Sequence, residues 1–150
     1  MASFQKPDNT VALTRNWQLG TGNWELTYTP VLQRGDDMVQ GAREAVMSYI
    51  KAMDERDYAA ARNYLGDNVR VKGPGGEAFR SPDEFLNVME QQRGRYDIKK
   101  VFVDGSDVCL LYDFVTPKVT TFFCSWYQVK DGKIISIQTV FDPRAFAAAQ

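Results

Sequence analysis

The sequence has 150 residues, of which 44% are hydrophobic and 13% aromatic, a size and composition typical of one globular domain. Eighteen basic and nineteen acidic residues leave a net charge of −1, which argues against nucleic acid or an anionic membrane surface as a partner. The chain contains no histidine, so Ser-His-Asp and Cys-His mechanisms are excluded. We expect a cytoplasmic protein, because no apolar run approaches the roughly 20 residues of a membrane span and residues 1–10 lack the apolar core of a signal peptide.

Residues 1–36 differ in composition from residues 37–150 and are interpreted as an N-terminal arm preceding a single domain. Within the arm, residues 17–19 and 24–28 alternate apolar with polar side chains around a Gly-Thr-Gly-Asn turn, which predicts a short hairpin. Two strands are not stable alone in water. We therefore expect the arm to pack against the domain or a second subunit, or to cover the mouth of a pocket.

Helical spacing begins after the arm and predicts a helix from Asp36 or Asp37 to about Asp54. The apolar positions of this helix are Val39, Ala42, Val46, Tyr49, Ile50 and Met53. Asp57 is suited to cap a second, shorter helix, and Gly66 is suited to end it.

A short strand pair and a third helix follow. Val69 and Val71 alternate with basic residues, and residues 77–79 could return as the partner strand. The segment Ser81-Pro82-Asp83-Glu84 combines an N-cap serine with proline and glutamate at the first and third helical positions, which predicts the start of the third helix.

The second half of the chain is strand-like. Short turns separate four runs with strand character, which predicts consecutive antiparallel strands. The runs are Tyr96 to Val103, Val108 to Val115, Val119 to Val129 and Ile134 to Phe141. Helices first and a meander last predict an α+β fold with three helices packed on one face of a curved antiparallel sheet.

The run from Val119 to Val129 is apolar on both of its faces. Leaving Phe122 and Trp126 in water costs about 25 cal/mol per Å² of apolar surface, so we expect something to cover them. A second copy of the chain is the first choice for this cover, and the N-terminal arm is the second.

The two cysteines, Cys109 and Cys124, stand alone in apolar segments. They fit neither a zinc ligand set nor a CxxC pair, so we expect two buried, reduced thiols and neither a metal nor any other cofactor.

Five sequence segments matter for comparison with known families by their composition, order and spacing: residues 49–57, 64–69, 82–85, 132–134 and 141–146. Together they resemble the nuclear transport factor 2-like superfamily and, within it, the SnoaL-like domains. The resemblance covers about residues 38–147, so the domain at 37–150 is identified as SnoaL-like. It implies a cone-shaped sheet of the cystatin-like type with helices on its concave face, an internal pocket open at one end, and frequent homodimers.

Two enzyme branches of the superfamily are poor matches. In ketosteroid isomerases a tyrosine donates to the developing enolate oxygen, and Tyr49 falls at the matching position, but Gly73 and Ser125 stand where those enzymes carry acids. The Asp-Arg-Asp set of limonene epoxide hydrolase is likewise not reproduced, because the matching positions carry Val115, Asp113 and Thr139.

These considerations predict a small-molecule-binding protein with an apolar pocket for an apolar or ring-containing ligand. If it is an enzyme, we expect a metal-independent isomerase, cyclase or lyase in which Asp113 moves a proton and Tyr49 steadies an oxyanion. The opposing interpretation places Asp113 near a strand end, paired with a cation. The residues predicted to contact the ligand are Lys72, Phe79, Phe123, Ser125, Tyr127 and Thr139. The alternative is a non-catalytic binding, dimerisation or partner-support module whose cone is filled by side chains.

Overall fold

The computed structural model describes residues 34–149, with side chains from residue 39 onward. The predicted hairpin and the covering role of the arm lie outside the described residues. The helices are α1 (Arg34–Asp54), α2 (Tyr58–Asn63), α3 (Pro82–Gln92) and α4 (Arg144–Ala147). The strands are β1 (Leu65–Gly73), β2 (Gly76–Glu77), β3 (Arg95–Asp104), β4 (Asp107–Val115), β5 (Thr120–Lys130) and β6 (Lys133–Phe141). In the part of the chain that the structure describes, no helix combines the length and apolarity needed to cross a membrane.

The six strands form one curved, open sheet in the order β2-β1-β6-β5-β4-β3. The antiparallel meander predicted for the last four strands is confirmed. The pairing of β1 with β6 is parallel, which differs from the fully antiparallel expectation. The reason is the length of the connection: the chain between these two strands contains α3 and four further strands, and a crossover of that length permits parallel pairing.

The predicted helix caps are present. The Ala60 backbone N–H donates to the Asp57 carboxylate at 3.0 Å, and the Glu84 backbone N–H donates to the Ser81 hydroxyl at 3.1 Å. The second helix ends earlier than predicted, because Tyr64 is its C-cap and Gly66 already belongs to β1. Its end is fixed by the sheet, since the Tyr64 carbonyl accepts a hydrogen bond from the Ile134 N–H at 2.7 Å.

The core lies between α1 and the concave face of the sheet, and α1 contacts β3, β4, β5 and β6. Alternation along the strands sends one set of side chains into this core, as on β4, where every second residue is buried. The buried set on β4 and β5 comprises Val108, Leu110, Tyr112, Phe114, Thr121, Phe123, Ser125, Tyr127 and Val129.

The opposite set of side chains forms the outer face of the sheet. Residues that stand directly opposite each other in the strand register share this face. The outer face comprises Phe102, Cys109, Leu111, Asp113, Phe122, Cys124, Trp126 and Val140. Four of these side chains are large, apolar and exposed, namely Phe102, Phe122, Trp126 and Val140.

Candidate functional site

A cavity of about 460 Å³ opens at one end of the concave face. The β1–β2 turn, α3, the ends of β4 to β6 and the C-terminal segment enclose it. Its main lining residues are Lys72, Glu77, Phe79, Phe85, Met89, Gln92, Tyr112, Phe114, Phe123, Thr139, Phe141 and Phe146. The five side chains Phe79, Phe85, Met89, Phe114 and Phe123 therefore surround a space instead of meeting to fill it.

Aromatic rings form most of the wall. Phe123 is central: its ring stacks on Phe141 at 4.3 Å between centroids and 5° between planes, and it lies 5.2 Å from Phe114. Phe79 and Phe85 make a second pair at 5.2 Å across the cavity mouth formed by α3 and the β1–β2 hairpin. Such a wall suits a flat apolar molecule, because rings offer large contact area with few rotatable bonds.

Two residues of the wall carry hydroxyl groups that are connected through a third hydroxyl behind the wall. The Ser125 hydroxyl lies 2.8 Å from that of Thr139 and 2.9 Å from that of Tyr112. Tyr112 and Thr139 line the cavity, whereas Ser125 is fully buried behind them. We call this Tyr112–Ser125–Thr139 arrangement the hydroxyl chain.

The hydroxyl chain has a simple proton count. Three hydroxyl groups carry three hydrogen atoms, and the two bonds within the chain use two of them, whichever way they point. When the Ser125 hydroxyl accepts from one neighbour and donates to the other, the third hydrogen is left at Tyr112 or at Thr139, which are both residues of the cavity lining. The chain can therefore offer one donor to a ligand. Burial raises the pKa of Tyr112, so its phenol remains neutral and keeps that hydrogen at ordinary pH.

Beneath the cavity lies a group of buried phenols, Tyr49, Tyr96, Tyr112 and Tyr127, which we call the tyrosine cluster. The ring centroids of Tyr49 and Tyr127 are 6.2 Å apart, and those of Tyr96 and Tyr112 are 5.1 Å apart. Burial first, and then the neighbouring phenols, raise the pKa values of Tyr49 and Tyr127 well above the ordinary value. The Tyr49 hydroxyl has no hydrogen-bond partner of good geometry among the described residues, although Tyr96 is near enough to influence its pKa.

Charged groups are confined to the rim. Lys72 and Glu77 face each other across the β1–β2 hairpin with Nζ and Oε1 4.0 Å apart, and their side chains are 44% and 64% exposed. Glu77 is the one carboxylate that the structure places in the lining, considering residues 39–149. Within the same range, no group of three or more Cys, Asp or Glu residues is arranged to hold a metal ion.

The structure corrects the expectation that Asp113 faces the cavity. Its neighbours Tyr112 and Phe114 are buried on the concave face, so alternation places Asp113 on the outer face. There its carboxylate lies 3.3 Å from the Lys99 ammonium, which also contacts Asp97 at 2.7 Å. The opposing interpretation, a carboxylate paired with a cation, matches this placement.

The other predicted site residues are distributed over three depths. Lys72, Phe79, Phe123 and Thr139 line the cavity. Ser125 lies one layer behind, in the hydroxyl chain. Tyr49 and Tyr127 lie deeper still, are 1% and 2% exposed, and do not reach the cavity.

Tyr112 is the cavity residue that the sequence analysis missed. It lies in the apolar run of β4 and shares its parity with Leu110 and Phe114, which are buried. This alternation is the feature of the sequence that could have predicted the position of Tyr112, because a tyrosine two residues from large apolar residues on both sides lies on the same, enclosed face of the strand.

The SnoaL-like domain model matches residues 46–137, which include α3, all of β1 to β5 and part of β6. The chain belongs to the SnoaL-like domain family. An NTF2-like protein of unknown function from Cytophaga hutchinsonii is 31% identical, with a TM-score of 0.67 over 71% of this chain and 94% of that one. The predicted superfamily and branch are thus confirmed.

More distant structures share the fold of this SnoaL-like chain. An LEH-like epoxide hydrolase from M. tuberculosis is 18% identical, with a TM-score of 0.61 over 74% of this chain and 90% of that one. A proposed SnoaL-like polyketide cyclase from Jannaschia sp. CCS1 is 14% identical, with a TM-score of 0.64 over 75% and 92%. No curated protein matches the sequence.

Proposed function

We propose that this SnoaL-like protein binds a small, largely apolar, ring-containing molecule whose single neutral oxygen meets the hydroxyl chain. The hydroxyl chain in an otherwise aromatic cavity is the observation that carries the proposal. The cavity volume of about 460 Å³ is within the range of small-molecule sites. A ketone or ether oxygen would accept the one free hydrogen of the chain.

Binding without chemistry is favoured over the isomerase or cyclase role. Proton transfer at carbon needs a base near the ligand, and Asp113 lies on the outer face while Glu77 sits at the rim beside Lys72. The raised pKa values of the tyrosine cluster keep its phenols protonated, so they act as donors and not as bases. The open cavity also argues against the alternative of a non-catalytic module whose interior is filled by side chains.

The proposal is tested by NMR titration with two matched probes, the bicyclic ketone 1-tetralone and its parent hydrocarbon tetralin. We expect both to shift resonances of Phe123 and Phe141, and the ketone to bind more tightly. Thr139→Val and Tyr112→Phe each remove one end of the hydroxyl chain. The variant that removes the donating end should weaken binding of the ketone about tenfold, equivalent to one hydrogen bond of about 1.4 kcal/mol, and both variants should leave binding of tetralin unchanged.

Two control variants keep the test specific. Thr120→Val changes the same residue type at an exposed position of β5, and Asp113→Asn removes the outer-face carboxylate. Both should bind the two probes like the unmodified protein. Equal losses for ketone and hydrocarbon in Thr139→Val, or no shifts at cavity residues with either probe, would contradict the proposed mode of binding.

We further propose that a second copy of the chain covers the outer face. Phe102, Phe122, Trp126 and Val140 are 53%, 54%, 44% and 63% exposed there, a large apolar area for one sheet face. A positive and a negative side chain, Lys99 and Asp113, lie together at the edge of this face. In a dimer with a two-fold axis, Lys99 of one copy could pair with Asp113 of the other, so the two edges would not repel each other.

Light scattering after size-exclusion chromatography tests the homodimer. The unmodified chain should elute with twice the monomer mass, and Val140→Asp should shift it to the monomer without changing probe binding. A monomeric unmodified chain at all concentrations would reject the dimer while leaving the ligand proposal intact.

A further inference from the structure

The two cysteines lie side by side on the outer face, whereas the sequence predicted isolated buried thiols. Cys109 of β4 stands opposite Trp126, and Cys124 of β5 stands opposite Leu111, so the cysteines are diagonal neighbours on adjacent strands. Their Sγ atoms are 3.6 Å apart, close enough for one S–H to donate to the other sulfur. Both side chains are partly exposed. In a single copy of the chain, the two thiols therefore meet where a small reagent can reach them.

We propose that Cys109 and Cys124 form a reversible dithiol–disulfide pair that links β4 to β5, with a low-molecular-weight disulfide such as glutathione disulfide as the oxidant. One protein thiolate attacks a sulfur of glutathione disulfide and releases one glutathione thiolate. The second cysteine attacks the protein sulfur of the resulting mixed disulfide and releases the second glutathione. The protein loses two hydrogen atoms, and one glutathione disulfide becomes two glutathione molecules.

The approach that this bond requires is small. A disulfide has an S–S distance of about 2.05 Å, so the two sulfurs must close by roughly 1.6 Å. The backbones of β4 and β5 are held by neighbouring strands on both sides, so rotation of the cysteine side chains has to supply this movement. The cysteines are 15 positions apart along the chain, which makes the ring a short one.

The two cysteines differ in the step of the exchange to which each is suited. Burial first, and then contact with Cys124, raise the pKa of Cys109 to about 11. Cys109 is therefore mostly a thiol at neutral pH, which makes it a poor nucleophile for the first attack on glutathione disulfide. As the resolving cysteine it must lose its proton when it displaces glutathione from Cys124, and its position beside Cys124 favours this step. The disulfide would link β4 to β5 on the outer face, opposite the concave face on which the same two strands carry Tyr112 and Ser125 of the hydroxyl chain.

Equilibration of the full chain in glutathione buffers of graded oxidised-to-reduced ratio tests the pair. The end point is approached from the reduced and from the oxidised side, so it does not depend on how fast reagents reach the outer face. Remaining thiols are then alkylated, and the intact mass and the peptides are measured. We expect the chain to pass from two alkylated thiols to none, with loss of two hydrogen masses and a cross-link between the peptides of Cys109 and Cys124.

Single variants and an unfolded control separate this result from general thiol reactivity. Cys109→Ser and Cys124→Ser should each end with one bound glutathione, because the second step is removed. In urea the linked fraction at the same buffer ratio should fall. The proposal is overturned if the unmodified chain ends with bound glutathione or two free thiols under every ratio, if only links between chains form, or if the unfolded chain links as readily as the folded one.

Discussion

Gly94 is a position where one added methyl group should disturb both stability and the cavity. A Cβ atom built at Gly94 would lie 1.8 Å from the Phe114 Cζ atom and 2.3 and 2.6 Å from the two Cε atoms of that ring. Carbon atoms in contact are about 3.5–4.0 Å apart, so the ring tip has to move by roughly 1.7 Å or more. Phe114 is 3% exposed and packs against Tyr96 and Phe123 at 5.4 Å and 5.2 Å.

The energetic consequence follows from this displacement. Overpacking a well-filled core costs about 1–3 kcal/mol. Replacing glycine by alanine also restricts the unfolded chain and returns about 0.4–1 kcal/mol. Because the 1.8 Å approach is far inside contact distance, the overpacking cost should lie at the top of its range, and we expect Gly94→Ala to lower the free energy of unfolding by about 2 kcal/mol, measured by urea denaturation. The open space beside Phe114 is the cavity that it lines, so the displaced ring should also weaken 1-tetralone binding.

A double-mutant cycle isolates the contact. In a Phe114→Leu background the ring tip is gone, and Gly94→Ala should cost less than about 0.5 kcal/mol, giving a coupling energy of about 1.5 kcal/mol. Gly75→Ala is the control, because a Cβ at Gly75 meets nothing within 4 Å, and it should change stability by less than about 0.5 kcal/mol. An undiminished cost of Gly94→Ala in the Phe114→Leu background would refute the reasoning.

Three further predictions concern stability. Tyr49→Phe removes a buried hydroxyl that has no hydrogen-bond partner among residues 39–149 and should raise the free energy of unfolding by about 1 kcal/mol in urea denaturation. Tyr112→Phe breaks the hydrogen bond to Ser125 and should lower it by about 1 kcal/mol, and the same sign for both variants would contradict the assignment. Because folding raises the pKa values of the tyrosine cluster, the contribution of these phenols to stability should be constant below about pH 10 and lost as the pH rises further, with tyrosinate absorbance growing together with loss of circular dichroism. Ionisation of these phenols in a folded protein would contradict this. Gly41→Ala, at an exposed position of α1 with nothing within 4 Å of the new Cβ, should raise the melting temperature through about 0.5–1 kcal/mol of helix propensity, and an unchanged or lower value would count against it.

Most of the fold follows from local chemistry in the sequence. Asp57 and Ser81 mark two helix starts because their side chains satisfy backbone N–H groups that the first turn leaves free. The turns between the last four strands set their antiparallel order. The parallel β1–β6 pair could not be derived in this way, because it joins segments about 65 residues apart and depends on how the whole sheet curves.

The candidate site could be predicted less well than the fold, because both faces of β4 and β5 carry apolar residues. When the two alternating sets are similar in character, periodicity shows that a strand exists but not which set is enclosed. The sequence predicts Asp113 in the cavity because it is the one charged residue within an apolar run. Its chain neighbours Tyr112 and Phe114 are buried on the concave face, which places Asp113 on the outer face. The proximity of Cys109 to Cys124 likewise depends on strand register, which their spacing of 15 residues does not specify.

The division of polar groups between the two faces of the sheet supports the proposed function. On the concave face, the polar atoms of β4, β5 and β6 that reach the cavity are neutral hydroxyls, joined through Ser125. On the outer face the carboxylates of Asp97 and Asp113 share the Lys99 ammonium. A buried hydroxyl chain fixes the orientation of a neutral ligand without the desolvation cost of a charge, whereas a buried carboxylate would be needed to draw a proton from carbon. Because the alternation along the strands places the carboxylates of Asp97 and Asp113 outside and the hydroxyl chain inside, the same alternation that forms the core also favours recognition over proton transfer.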